Sequence, residues 1–225
     1  MNDGPDGLTR FINGILPENP VYRQLLGMCP VLAVTSAMKP AMTMAAATAF
    51  VLICANVLTS VIRGVLKPHL RILVFTLTIA TFVTIADRLL AASEALYPMS
   101  KVLGPYVPLI IVNCIIISRC EICASKQSVG VALMDALGMS LGFAIALASI
   151  ATVREILGAG QWLGLTLLHE SWYPKWGIMA LPPGAFLVLG VLLAAVEWYT
   201  ERRTRLQNSP EQQQREATHG LSAEQ

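Results

Sequence analysis

Charge is scarce in this chain. Only 13% of its 225 residues are charged and 55% are hydrophobic, whereas a water-soluble domain carries about 25% charge. That balance excludes an ordinary soluble domain. The net charge of +2 provides no basic footprint for nucleic acid. Phosphate-binding signatures are missing too. There is no P-loop and no dinucleotide fingerprint after a strand, and Gly158-Ala159-Gly160 reads as a helix-ending turn. The three histidines, His69, His169 and His219, fall in expected loops or the tail, so no Ser/His/Asp nucleophile set assembles. Met1 to Gly7 lack the basic start and apolar core of a secretory signal, and the N-terminus is expected in the cytoplasm. Five cysteines, an odd number lying mostly in apolar segments, argue against a disulfide framework.

What is present is a series of long apolar stretches. Segments of about 20 apolar residues are long enough to cross a bilayer, and the pattern predicts an all-α membrane protein with six transmembrane helices. The expected spans are about 24–38, 41–62, 71–92, 103–118, 129–152 and 178–199. The first is short, and the fourth is broken near its start by Pro105 and Pro108. Ahead of them, residues 1–23 hold Leu8, Phe11, Ile12, Ile15 and Leu16 among polar residues. This reads as a cytoplasmic amphipathic segment resting on the membrane. Residues 201–225 form a polar tail rich in Gln and Arg, expected to be disordered and cytoplasmic. With the N-terminus inside, eleven Lys and Arg fall on the inner side. The other five, Lys39, Arg88, Lys101, Arg154 and Lys175, fall on the outer side, in keeping with the positive-inside bias.

The membrane domain, 24–200, divides into two similar halves, about 24–92 and 103–199. Each opens on a cysteine in a short apolar segment: Cys29 in Gly27-Met28-Cys29-Pro30-Val31 and Cys114 in Val112-Asn113-Cys114-Ile115. Leu58-Thr59-Ser60-Val61-Ile62-Arg63-Gly64 resembles Ile150-Ala151-Thr152-Val153-Arg154-Glu155-Ile156. Three spans per half make the second half inverted relative to the first. Inverted repeats bring broken helices from matching positions together near the bilayer midplane. Spans one and four are the short, broken pair, and they carry Cys29 and Cys114.

Soft thiolate ligands at membrane depth point to a metal, foremost an iron–sulfur centre. Such a centre normally takes four protein ligands, so a second chain is needed to supply two more. A homologous subunit or a second copy of this chain is the simplest donor. Cys54 reads as a small core residue. Cys120 and Cys123, a lone C-x-x-C, read as loop-packing residues. Asp135, in span five, is the strongest candidate for an ion or proton path, with capping or bracing a helix as the equal alternative; Asp87 and Glu197 lie nearer helix ends. Arg119 and Glu121 are expected at the cytoplasmic end of span four, paired with neighbouring groups and available to contact a soluble electron-carrying partner, with Arg154-Glu155 in the related place outside.

These residues carry a family resemblance. Leu26 to Thr35, Asn113-Cys114-Ile115-Ile116, Arg154-Glu155-Ile156-Leu157-Gly158 and Leu181-Pro182-Pro183-Gly184-Ala185-Phe186 resemble the E-type membrane component of the Rnf electron-transport complex. That component is related to its D-type counterpart in the sodium-translocating NADH:quinone reductase. The resemblance spans roughly Leu25 to Tyr199. It implies a 2Fe–2S cluster held at an interface with a homologous subunit of opposite orientation (the A-type component in Rnf). Cys29 and Cys114 would be two of its four ligands. The other implied partners are Rnf subunits carrying flavins and iron–sulfur clusters, and the complex couples ferredoxin and NAD+ chemistry to sodium or proton movement across the bacterial inner membrane. The family's usual Gly-Arg-Ala-Glu-Ala-Phe-Ala is replaced here by Ser118-Arg119-Cys120-Glu121-Ile122-Cys123-Ala124. This raises Cys120 and Cys123 as substitute ligands. Two other readings stand beside this one. Inverted repeats with broken helices also build secondary transporters, and a structural anchor would make the cysteines inert.

Overall fold

The computed structural model describes residues 7–15, 18–64, 70–92, 103–162, 165–166 and 181–222. Lys67, His69, Lys101, His169 and Lys175 lie outside them. Helices dominate: α1 (Gly7–Ile15), α2 (Met28–Val34), α3 (Met38–Ile62), α4 (Arg71–Ala92), a 3-10 turn (Gly104–Tyr106), α5 (Pro108–Ile111), α6 (Cys114–Arg119), a π-turn (Cys120–Ala124), α7 (Val129–Ala159) and α8 (Pro182–Ser222). A minimal antiparallel pair, Gln161–Trp162 with Leu165–Thr166, follows α7.

Among the described residues, five stretches are long and apolar enough to cross a membrane: Met38–Ile62, Arg71–Ala92, Gly104–Ala124, Val129–Gly158 and Pro182–Arg202. They match the expected second to sixth spans, and the chain is a multi-pass membrane protein. The expected first span is different in kind, because its only helix, α2, has seven residues. A seven-residue helix is about 10 Å long, a third of a hydrocarbon core of about 30 Å. The compact unit runs to Phe186, and the helix from Leu187 onward is a separate unit. Within that helix the Arg202 guanidinium lies over the Trp198 ring, 5.1 Å from its centroid. The helix continues through the polar tail to Ser222.

Helix α7 is the scaffold of the compact unit. Ser128 precedes it in extended conformation. Gly160, at φ 66, ends it in the left-handed conformation that suits a residue without Cβ. Its buried face alternates large side chains, Met139, Phe143, Leu147 and Ile150, with small ones, Ala132, Ala136, Ala146 and Ala151. The facing helix α3 likewise buries Ala41, Ala45, Ala47, Thr48 and Ala55. Lipid tails are as apolar as the side chains, so helices in a membrane gain little from mutual hydrophobicity. They associate where small residues let backbones come close.

The N-terminal helix uses the same device. α1 packs on α7, and the approach is backbone to backbone. A Cβ on Gly142 would stand 2.5 Å from the Gly14 carbonyl oxygen, and one on Gly138 would stand 2.6 Å from the Phe11 oxygen. Beyond α1 the chain follows α7 upward. The Asn19 side-chain amide donates to the Gly142 carbonyl at 3.0 Å, and the Tyr22 hydroxyl bonds Ser149. At the top, the Met38 amide donates to Glu155 Oε2 at 2.9 Å. From Gly138 to Glu155 is about 26 Å of helix. The segment from α1 through α2 therefore runs beside α7 for most of a bilayer's thickness, as two short helices joined by an irregular link.

Gly142→Val is expected to dislodge α1, because backbone atoms, unlike a flexible side chain, cannot swing aside. Over-packing of this kind costs about 1–3 kcal/mol, read as a lowered melting temperature of the detergent-solubilised protein. Gly130→Ala, where a Cβ would meet nothing within 4 Å, should leave the melting temperature unchanged.

Candidate metal centre

The segments bearing the two cysteines singled out by the repeat come together near the middle of α7. Cys114 is the first residue of α6. Its helix start is fixed by Asn113, whose side-chain oxygen accepts the Ile115 amide at 3.2 Å, a typical N-cap bond. Cys29 lies in the first turn of α2, two residues after Gly27. The Gly27 amide donates to Cys114 Sγ at 2.9 Å. Two Cα–Cα links span at most about 7 Å, so Cys29 lies beside the Cys114 loop. A Cβ on Gly27 would stand 3.0 Å from Phe143 Cε2, and Phe143 is the fifteenth of the 31 residues of α7. Both cysteines are free and exposed, on a face that also shows Leu25, Tyr106 and Val112.

The backbone that brings them together is strained. Leu25 (φ 54) and Gly27 (φ 76) are both left-handed. A left-handed Leu costs roughly 1–2 kcal/mol, and such strain persists only where the surroundings over-determine it. The donors are of the soft kind: Cys114 Sγ meets the Gly27 amide, and Cys29 follows two residues after Gly27 on the same segment. Among the described residues no group of three or more His, Cys, Asp or Glu is placed to hold a metal ion. What this chain offers is two exposed thiols on neighbouring segments.

The remaining cysteines are placed differently. Cys120 and Cys123 are fully buried. The Cys120 thiol donates to Asn56 Oδ1 at 3.3 Å and accepts from the Thr59 hydroxyl at 3.7 Å, which ties the π-turn to α3. Cys123 faces Asp135 instead. The C-x-x-C thus points its two sulfurs at different helices.

Arg119 and Asp135 form a buried ion pair, with Nη1 3.5 Å from Oδ1 and side chains 6% and 2% exposed. Arg119 thus pairs with a neighbour, as expected, but the carboxylate on α7 draws it inward, which corrects the expectation that it is also available to a soluble partner. Glu121 pairs with Arg71 at 3.8 Å. Arg10 of α1 adds a second positive field at Asp135, so a charge expected only to mark the inner side also serves the interior. Asp135 Oδ2 and Arg119 Nε have no hydrogen-bond partner among the described residues. Arg154, expected at the outer surface, is 2% exposed because α7 runs on to Ala159. It donates to Thr35 Oγ1 at 2.6 Å and to the Leu181 carbonyl at 3.2 Å, anchoring the end of α2. Sequence reasoning missed this role. The one signal for it was an Arg-Glu pair continuing an apolar helix without a break.

Comparison with known proteins covers most of the chain. Residues 8–193 match the family described as Rnf-Nqr subunit, membrane protein. The chain is 43% identical over 195 residues to the E subunit of the Na(+)-translocating ferredoxin:NAD(+) oxidoreductase complex of Acetobacterium woodii, covering 87% of this chain and 98% of that protein. It is 37% identical over 196 residues to the E subunit of the proton-translocating ferredoxin:NAD(+) oxidoreductase complex of Clostridium ljungdahlii, covering 87% and 91%. It is 39% identical over 200 residues to the D subunit of the Na(+)-translocating NADH-quinone reductase of Aeromonas hydrophila, covering 87% and 94%.

The buried pair predicts an asymmetry. Arg119→Met alone takes from the Asp135 carboxylate its ion-pair partner, leaving only the field of Arg10, and should destabilise the protein by up to about 3 kcal/mol. Arg119→Met with Asp135→Leu removes both charges and should recover most of that loss. Thermal unfolding of the two variants beside wild type reads the difference.

Proposed function

We propose, since this chain belongs to the Rnf-Nqr family of membrane subunits, that it works as the E-type component of an ion-translocating ferredoxin:NAD+ oxidoreductase complex. In this reading Cys29 and Cys114 hold half of a 2Fe–2S cluster, and a homologous A-type component supplies the other two thiolates. The other partners are the complex's flavin and iron–sulfur subunits. The observation that carries the reading is that the segments bearing two exposed thiols come together near the midpoint of α7, joined by the Gly27–Cys114 bond. Two thiolates are half of a four-ligand shell, which is what a shared centre requires of each partner.

The cluster, when bound, supplies a one-electron relay. The chain's own residues hold and seal it. Asn113 fixes the turn that aims Cys114, Gly27 holds the opposite loop against it, and Ile115 and Phe143 close the inner side against water. Dry apolar walls raise the strength of every electrostatic contact they enclose. The six-span count is met by taking the α1–α2 segment as one broken crossing. The 3-10 turn, α5 and α6, interrupted at Asn113, make its inverted counterpart. Both termini are then cytoplasmic, in a bacterial inner membrane. In this reading Asp135, a buried carboxylate with one oxygen unpartnered among the described residues, is the candidate for an ion or proton path.

Cys29→Ser and Cys114→Ser should each remove one 2Fe–2S signal from the EPR spectrum of the purified complex and about two irons per complex, with subunit composition intact. An unchanged signal and iron content in both variants would reduce the cysteines to packing residues and favour a transporter-like or anchoring role.

A further inference from the structure

The Gly27–Cys114 bond has a chemical consequence as well as a structural one. Gly27 sits at φ 76, a conformation L side chains rarely adopt. Its hydrogen-bonded position leaves no room for a side chain: a Cβ would stand 2.5 Å from Ile115 Cδ1 and 3.0 Å from Phe143 Cε2. The residue is buried, so water does not compete for its amide. Its N–H is directed at the sulfur of one proposed ligand, while its own chain supplies the other ligand two residues later. Hydrogen bonds to the sulfurs of an iron–sulfur cluster are one of the determinants of its reduction potential. A donor lowers the electron density on the sulfur and favours the reduced, more negative state.

We propose that Gly27 is a positioning residue whose backbone amide, held on Cys114 Sγ, raises the reduction potential of the centre this chain shares. This rests on the cluster reading above. Gly27 touches neither metal nor substrate; it acts through the sulfur of Cys114.

The test uses the assembled complex from cells grown with 15N-glycine. In the reduced state, pulsed EPR of the cluster should show coupling to a peptide 15N. Gly27→Ala should remove that coupling and shift the midpoint potential downward at unchanged iron content. Adding Ile115→Val frees the space that the introduced Cβ needs, and part of the downward shift should reverse. Because the alanine is unlabelled, the 15N coupling stays absent in that double variant. A potential unmoved in Gly27→Ala with the cluster present overturns the proposal, as does wild-type cluster without the 15N coupling. Should wild type show no 2Fe–2S signal at all, the cluster reading and the tuning role both fall. The bond itself is then judged by amide exchange. Cys114→Ala should speed exchange at Gly27 by roughly tenfold, the worth of one hydrogen bond, and an unchanged rate removes the bond as well.

Discussion

Everything at the candidate centre depends on how closely the N-terminal segment approaches α7. No hydrophobic force holds helices together inside a membrane, so contact distance decides whether they associate. Gly14, Gly138 and Gly142 remove the side chains that would keep α1 and α7 apart. With that contact made, Asn19, Tyr22, Thr35 and Met38 take up successive partners along α7. The loop bearing Cys29 is thereby carried to the level of Phe143, where Cys114 waits. Without the glycine contact the first segment would be a seven-residue helix on an unanchored leader, and its cysteine would have no defined neighbour.

Two arginines on either side of that level perform different tasks at the same cost. Arg119 meets a carboxylate, Asp135, while Arg154 meets a hydroxyl and a carbonyl. Burying a cation is expensive unless it is paired or fully hydrogen-bonded. Arg154 meets neutral acceptors and locks α2 against α7. At the Arg119 pair, Asp135 Oδ2 and Arg119 Nε are left over among the described residues, and a second cation, Arg10, stands nearby. The Arg119 pair is thus the less completely bonded of the two sites. The well-bonded Arg154 reads as architecture.

Much of this was legible in the sequence, and the gaps have physical causes. Spans two, three and five show as continuous apolar runs, and the structure keeps their limits to within a few residues, apart from α7, which continues about seven residues further to Ala159. Arg154 and Glu155 look like the end of a span in sequence because charge normally marks the membrane surface. Partners supplied by Thr35, Leu181 and Met38 make burial tolerable, and those partners lie far away in the chain. Residues 7–15 show an amphipathic pattern, which identifies a helix but does not say whether its apolar side meets lipid or protein. The sequence clue was Gly138-x-x-x-Gly142, a close-packing signal on another span. The similar segments around Arg63 and Arg154 also end in unlike surroundings. Arg63 is exposed and bonds the Gln127 carbonyl, while Arg154 is buried. The cysteines themselves were legible from their matching places. Their contact through Gly27 was not, because it depends on a left-handed turn that periodicity does not reveal.

The most direct test of the central claim is a cryo-EM map of the complete complex purified without oxygen. The account predicts compact density at the level of Phe143, bonded to Cys29 and Cys114 and to two cysteines of a neighbouring membrane subunit. Cys29 and Cys114 packed against lipid, with their sulfurs apart and no density between them, would contradict it.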